Sequence, residues 1–98
     1  MGQTNKKNDM TVEIDPVEVN GASLNKKDEE QLVYYLKLCF DQGCSREEMV
    51  GRVTDDYMAN LKYKGFHDNN GKEVDLKRLQ AFVRAYYDAI DRKYGTDD

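Results

Sequence analysis

The sequence predicts a mainly α fold: one compact domain of three to four helices, with a short N-terminal strand arm and a small β-hairpin. Three segments repeat apolar residues at helical spacing, and helix start and stop signals bound them. With 98 residues, the chain suits a single domain with one modest core. We expect residues 11–95 to form this domain, and the polar residues 1–10 and 96–98 to be disordered ends.

The first predicted element is an extended arm. Residues 11–15 alternate apolar and polar side chains, as a half-buried strand does. Pro16 then removes a backbone donor, and residues 17–19 resume the alternation out of phase. This pattern predicts an edge strand or arm that ends at Asn20 and Gly21.

A first helix is predicted from Asn25 to Gln42, since acids occupy its first turns, where the helix dipole favours negative charge. The turn that follows carries a complete set of local signals. Gly43 can adopt the left-handed conformation that ends a helix. Ser45 and Glu48 are spaced as a capping box. Cys44 and Met49 occupy the two positions of a hydrophobic staple.

The segment after this turn allows two interpretations. Apolar residues recur at helical spacing as far as Leu61, which predicts one second helix. Thr54, followed by two acids, could instead cap a separate short helix. Further on, Asn70 and Gly71 form the dipeptide that tight turns prefer, which predicts a hairpin over residues 65–74.

The last helix has Asp75 as its N-cap and Gly95 just beyond its end. Arg92 and Lys93 lie in the final turn, where the dipole favours positive charge. A continuous apolar stripe runs along this helix, formed by Leu76, Leu79, Val83, Tyr86 and Ile90.

Catalytic, cofactor and metal sites are not predicted. His67 is the sole histidine, so a catalytic triad or a multi-histidine metal site cannot be assembled. The loop at residues 68–71 superficially resembles a calcium loop, but Phe66 and Lys77 would then stand where ligands belong. No phosphate loop or nucleophile motif is present either. We therefore expect a non-enzymatic protein without a small-molecule substrate.

Composition sets the expected environment. The longest apolar run, residues 32–36, is far too short to cross a bilayer, and no signal-peptide pattern precedes the domain. Cys39 and Cys44 are too few for a zinc set, so we expect two free thiols acting as small buried hydrophobes. A cytoplasmic location fits these features.

The helical wheel singles out candidate partner-binding residues. With about 100° per residue, Tyr34 and Leu38 point away from the predicted core face of their helix and lie side by side. Phe82 widens the apolar surface of the last helix, where it could pack the second helix or a second subunit. These three exposed or apolar positions indicate that the chain binds another protein or a second copy of itself, as a homodimer or an adaptor-like regulatory module does. For Tyr34 and Leu38, cover by the arm or the hairpin is the competing interpretation.

A nucleic-acid alternative rests on residues 28–74. A helix, a capped turn, a short helix and a hairpin in this order resemble the winged helix-turn-helix regulators. The resemblance implies DNA contacts from Arg52, Lys62 and Lys64. The net charge of −4 makes DNA binding less favoured than protein binding, because affinity for phosphate depends on accessible cations.

A further alternative is an acidic inhibitor that occupies the groove of a nucleic-acid-binding protein with carboxylates in place of phosphates. It requires the fold to gather six acids into one patch: Asp15, Glu18, Glu47, Glu48, Asp55 and Asp56.

Overall fold

A computed structural model describes residues 12–60 and 62–95, apart from the side chain of Asn60. Three α-helices make up most of this part of the chain: α1 at Lys26–Asp41, α2 at Arg46–Asn60 and α3 at Leu76–Tyr94. The mainly helical fold is confirmed. The disordered ends predicted at residues 1–10 and 96–98 lie outside the described residues, and so does Leu61.

Helix α1 begins and ends where the sequence predicts. The Asn25 side chain caps it by accepting hydrogen bonds from the amides of Lys27 (2.9 Å) and Asp28 (3.4 Å). At the other end, Gly43 takes a φ of 91°, and the Cys44 amide donates back to the Cys39 carbonyl at 3.0 Å. This is a Schellman ending, which satisfies carbonyls that the helix leaves free.

Helix α2 starts with the predicted capping box. The Ser45 amide donates to Glu48 Oε1 at 2.8 Å, and the Glu48 amide donates to Ser45 Oγ at 3.2 Å. The helix then continues unbroken to Asn60. Thr54 does not cap a second helix, because its hydroxyl instead accepts a hydrogen bond from Gln80 Nε2 of α3 at 2.9 Å.

Helix α3 is the centre of the packing, since it contacts both α1 and α2. Asp75 caps it by accepting from the Arg78 amide at 2.9 Å. Its apolar stripe is buried, together with residues of α1 and α2. The side chains with no measurable exposure include Leu32, Leu36, Met49, Val53, Leu79, Phe82, Val83, Tyr86 and Ile90.

The predicted strand arm and hairpin are not confirmed. Residues 12–18 have no regular secondary structure, and Pro16 interrupts the run of backbone donors that a strand there would need. In the hairpin region, His67 and Glu73 form an isolated antiparallel bridge. The tight turn with two positive φ values lies instead at Asn20 (54°) and Gly21 (82°), where Val19 and Ala22 exchange two hydrogen bonds.

A buried carboxylate explains why the loop of residues 66–74 is held without strands. Asp68 is 4% exposed and accepts hydrogen bonds from the Asn70 amide at 2.8 Å and the Lys72 amide at 2.9 Å. Arg78 Nη2 completes the set at 2.9 Å from Asp68 Oδ2. The Lys72 amide, then the Arg78 guanidinium, lower the pKa of Asp68 to about 2. Asp68 thus fastens the loop to the first turns of α3.

Candidate interaction surface

The solvent side of α1 carries a large apolar pair. Tyr34 is 37% exposed and Leu38 is 44% exposed, whereas Leu32 and Leu36 of the same helix are fully buried. Burial of Leu32 and Leu36 fixes the rotation of α1, which leaves Tyr34 and Leu38 pointing to solvent. Residues 12–19 and 66–74 leave both side chains exposed to this extent.

A second tyrosine extends this surface across a lysine. The Lys37 ammonium lies 4.6 Å from the centre of the Tyr94 ring, at the end of α3. The same ammonium pairs with Asp41 at 2.9 Å, one turn further along α1. Tyr94 is itself 40% exposed. We call Tyr34, Lys37, Leu38 and Tyr94 the α1 outer face.

The arm is attached to this surface through Tyr94. The Glu13 amide donates to the Tyr94 hydroxyl, and that hydroxyl donates to the Glu13 carbonyl, each at 3.2 Å. The arm thus lies beside α1 without covering Tyr34 or Leu38. Glu13 and Tyr94 are 81 residues apart, so no local sequence pattern indicates their contact.

Phe82 does not belong to this surface. Its side chain is fully buried and stacks near Tyr86, with 6.0 Å between the ring centres. The reason is its position on the face of α3 that packs inside the helical assembly. Phe82 is therefore a core residue, and its burial favours the alternative in which it packs against the other helices.

The predicted DNA-contacting cations are exposed, and each lies near another side chain of the protein. Arg52 Nη1 lies 3.4 Å from Gln42 Oε1 and 3.7 Å from Cys39 Sγ. The ammonium of Lys62 lies near the Tyr35 ring and that of Lys64 near the Tyr57 ring, at 5.9 and 5.2 Å from the ring centres. The separate short helix that Thr54 could have capped is not formed within α2, which is unbroken from Arg46 to Asn60.

Two of the six acids proposed for an inhibitory patch are engaged within the fold. Glu47 pairs with Arg84 at 3.0 Å, and this hydrogen bond lowers the pKa of Glu47. Glu48 is held by the Ser45 amide in the capping box. Asp15 instead lines a groove between the arm and α1.

The described residues show no other site of familiar chemistry. Among residues 12–60 and 62–95, no three His, Cys, Asp or Glu side chains are grouped to hold a metal ion. No helix in the same ranges combines the length and apolarity that a bilayer crossing needs. Cys39 and Cys44 are buried free thiols. No family model, curated protein or solved structure matches the chain. The proposed function therefore rests on the geometry of the exposed surface.

Proposed function

We propose that this chain is a protein-binding module, adaptor-like or regulatory, that acts through the α1 outer face. The observation that carries the proposal is the exposure of Tyr34 and Leu38 side by side on a helix whose opposite side is fully buried. A single exposed leucine is ordinary, but a contiguous apolar group next to tyrosines is typical of interaction surfaces.

The composition of the face suits protein recognition. Tyrosine offers a large apolar ring with a hydroxyl at its edge, and tyrosines are enriched among residues that dominate binding energy. Tyr34 and Tyr94 flank Lys37, whose ammonium is already held by Asp41. The face thus combines apolar side chains with polar groups, as protein interfaces do.

The helix that carries the face is held rigidly. Leu32 and Leu36 of α1 are fully buried in the core. Tyr86 of α3 also donates a hydrogen bond to Glu29 near the beginning of α1. A rigid helix loses little conformational entropy when a partner docks, which favours affinity. The partner is a second copy of this chain or another protein that offers an apolar surface.

The test compares the wild type with the double variant Tyr34→Ser/Leu38→Ser. Sedimentation equilibrium over a range of concentrations measures self-association, and capture by immobilised chain followed by mass spectrometry measures binding of a second protein. The double variant is expected to lose the association that the wild type shows. Met58→Ser is the matched control, since Met58 is 65% exposed on α2, outside the face. Equal association by all three proteins would contradict the proposal.

A further inference from the structure

A groove separates the N-terminal arm from α1. It encloses about 700 Å³, a volume within the usual range of ligand sites. We call it the arm groove. Val33 of α1, 4% exposed and part of the core, contributes its floor, and Val12 and Ile14 of the arm contribute apolar side walls.

Both walls of the arm groove are fastened. On the arm, Tyr94 holds Glu13 by two hydrogen bonds, and Ser23 Oγ donates to the Val17 carbonyl at 3.0 Å. On the α1 side, the Tyr86 hydroxyl donates to Glu29 Oε2 at 2.9 Å. The arm is thus tied to the end of α3 and to Ser23, just before the N-cap of α1, so the groove exists before any occupant enters.

The charges along the groove have one dominant sign. Among the described residues, four carboxylates and the ammonium of Lys26 line the groove. Charges on a partner that are opposite to those of the binding site raise the association rate and favour that partner. Charges of the same sign disfavour binding. Two of the four acids belong to the arm and two to α1, so an occupant with apolar side chains between two cations complements the groove. The acids are Glu13, Asp15, Glu29 and Glu30.

We infer that the arm groove binds a short segment of a partner protein in which apolar side chains lie between two arginines or lysines. The apolar side chains contact Val33 and Ile14, and the flanking cations pair with Glu13 and Glu30. The groove is lined by other residues than the α1 outer face, although the contact between Glu13 and Tyr94 joins the two surfaces.

The experiment is a fluorescence-anisotropy titration at about 0.15 M salt, where exposed charges beyond roughly 8 Å are screened. The probe is the fluorescein-labelled peptide Gly-Arg-Leu-Val-Arg-Gly. Two peptides of the same length serve as comparisons: in one the arginines are replaced by Glu, and in the other Leu-Val is replaced by Ser-Ser. The wild-type chain is expected to bind the first peptide and neither comparison peptide.

Variants of the full chain then locate the binding. Glu13→Lys/Glu30→Lys is expected to weaken binding about tenfold, because two exposed ion pairs become repulsions. The matched control Asp55→Lys/Glu73→Lys makes the same charge change at exposed positions outside the groove and is expected to stay within about twofold of the wild type. Circular dichroism confirms that each variant is folded.

Three results would overturn the inference. The first is that the wild-type chain does not bind the Arg-Leu-Val-Arg peptide even at about 1 mM, and the second is that it binds the Ser-Ser peptide equally well. The third is that both pairs of charge reversals weaken peptide binding to the same extent. Binding that appears only in the variant Lys6→Ser/Lys7→Ser would show that the chain's own basic segment occupies the groove in place of a partner. Tyr34→Ser/Leu38→Ser is expected to bind the peptide normally, so this result stands apart from the test of the outer face.

Discussion

The Tyr86 hydroxyl donates a hydrogen bond to Glu29 Oε2 at 2.9 Å and so links the middle of α3 to the beginning of α1. Tyr86 is fully buried, and burial, reinforced by the Glu29 carboxylate, raises the pKa of its phenol well above the usual range. The phenol therefore acts as a permanent donor. This contact fixes the part of α1 that lines the arm groove.

Removal of that hydroxyl tests the link. Tyr86→Phe is expected to lower the free energy of unfolding by about 1 kcal/mol, the usual contribution of one hydrogen bond. Urea unfolding followed by circular dichroism measures the loss. Tyr87→Phe, one residue away and only partly buried, is the control. A loss no larger than that of the control would show that the contact does not stabilise the fold.

The lowered pKa of Asp68 predicts that the free energy of unfolding falls in acid. Its pKa is about 2 in the folded chain, against about 3.9 for an unfolded aspartate. The folded state therefore favours the ionised form, and the resulting stability is present above about pH 4 and is lost as the pH falls towards about 2. Urea unfolding at intervals across this window should show a steeper loss for the wild type than for Asp68→Asn. Identical slopes would contradict this account of Asp68.

The two thiols are expected to be unreactive in the folded chain. Cys39 is 1% exposed and Cys44 is 9% exposed, and burial raises the pKa of the Cys44 thiol. Since the thiolate is the reactive form, Ellman's reagent should modify both residues quickly in denaturant and slowly in buffer. Rapid modification of two thiols in the folded chain would show that the helix ending at residues 39–44 is open.

A DNA titration separates the proposed function from its nucleic-acid alternative. We expect no binding of a mixed-sequence duplex at low salt, because Arg52, Lys62 and Lys64 contact side chains of the protein itself and the net charge is −4. Fluorescence anisotropy at low and near-physiological salt measures this. Micromolar binding that weakens steeply with salt would favour a DNA-binding regulator instead.

Local signals predicted the helices well. Asn25, Gly43, Ser45 and Asp75 act within a few residues of their own positions, so their roles can be seen in the sequence. The rotation of α1, and with it the exposure of Tyr34, follows from helical periodicity in the same way.

Contacts between distant segments could not be predicted. Thr54 has the sequence signature of an N-cap, but its hydroxyl accepts a hydrogen bond from Gln80, 26 residues later. The Glu13–Tyr94 contact joins residues 81 apart, and no local pattern indicates it or the arm groove. The sequence left open whether Phe82 packs the second helix or a second subunit, and only the packed fold shows that its side chain is enclosed.

The most direct test of the central claim is the thermal stability of Tyr34→Ser/Leu38→Ser. If both side chains belong to a free binding surface, their loss should change the free energy of unfolding by less than about 1 kcal/mol in total. The melting temperature would then shift by less than about 8 °C. Leu36→Ala and Val83→Ala, at fully buried positions, should each cost about 2–4 kcal/mol. A loss in the double variant as large as theirs would show that Tyr34 and Leu38 are core residues and contradict the binding surface.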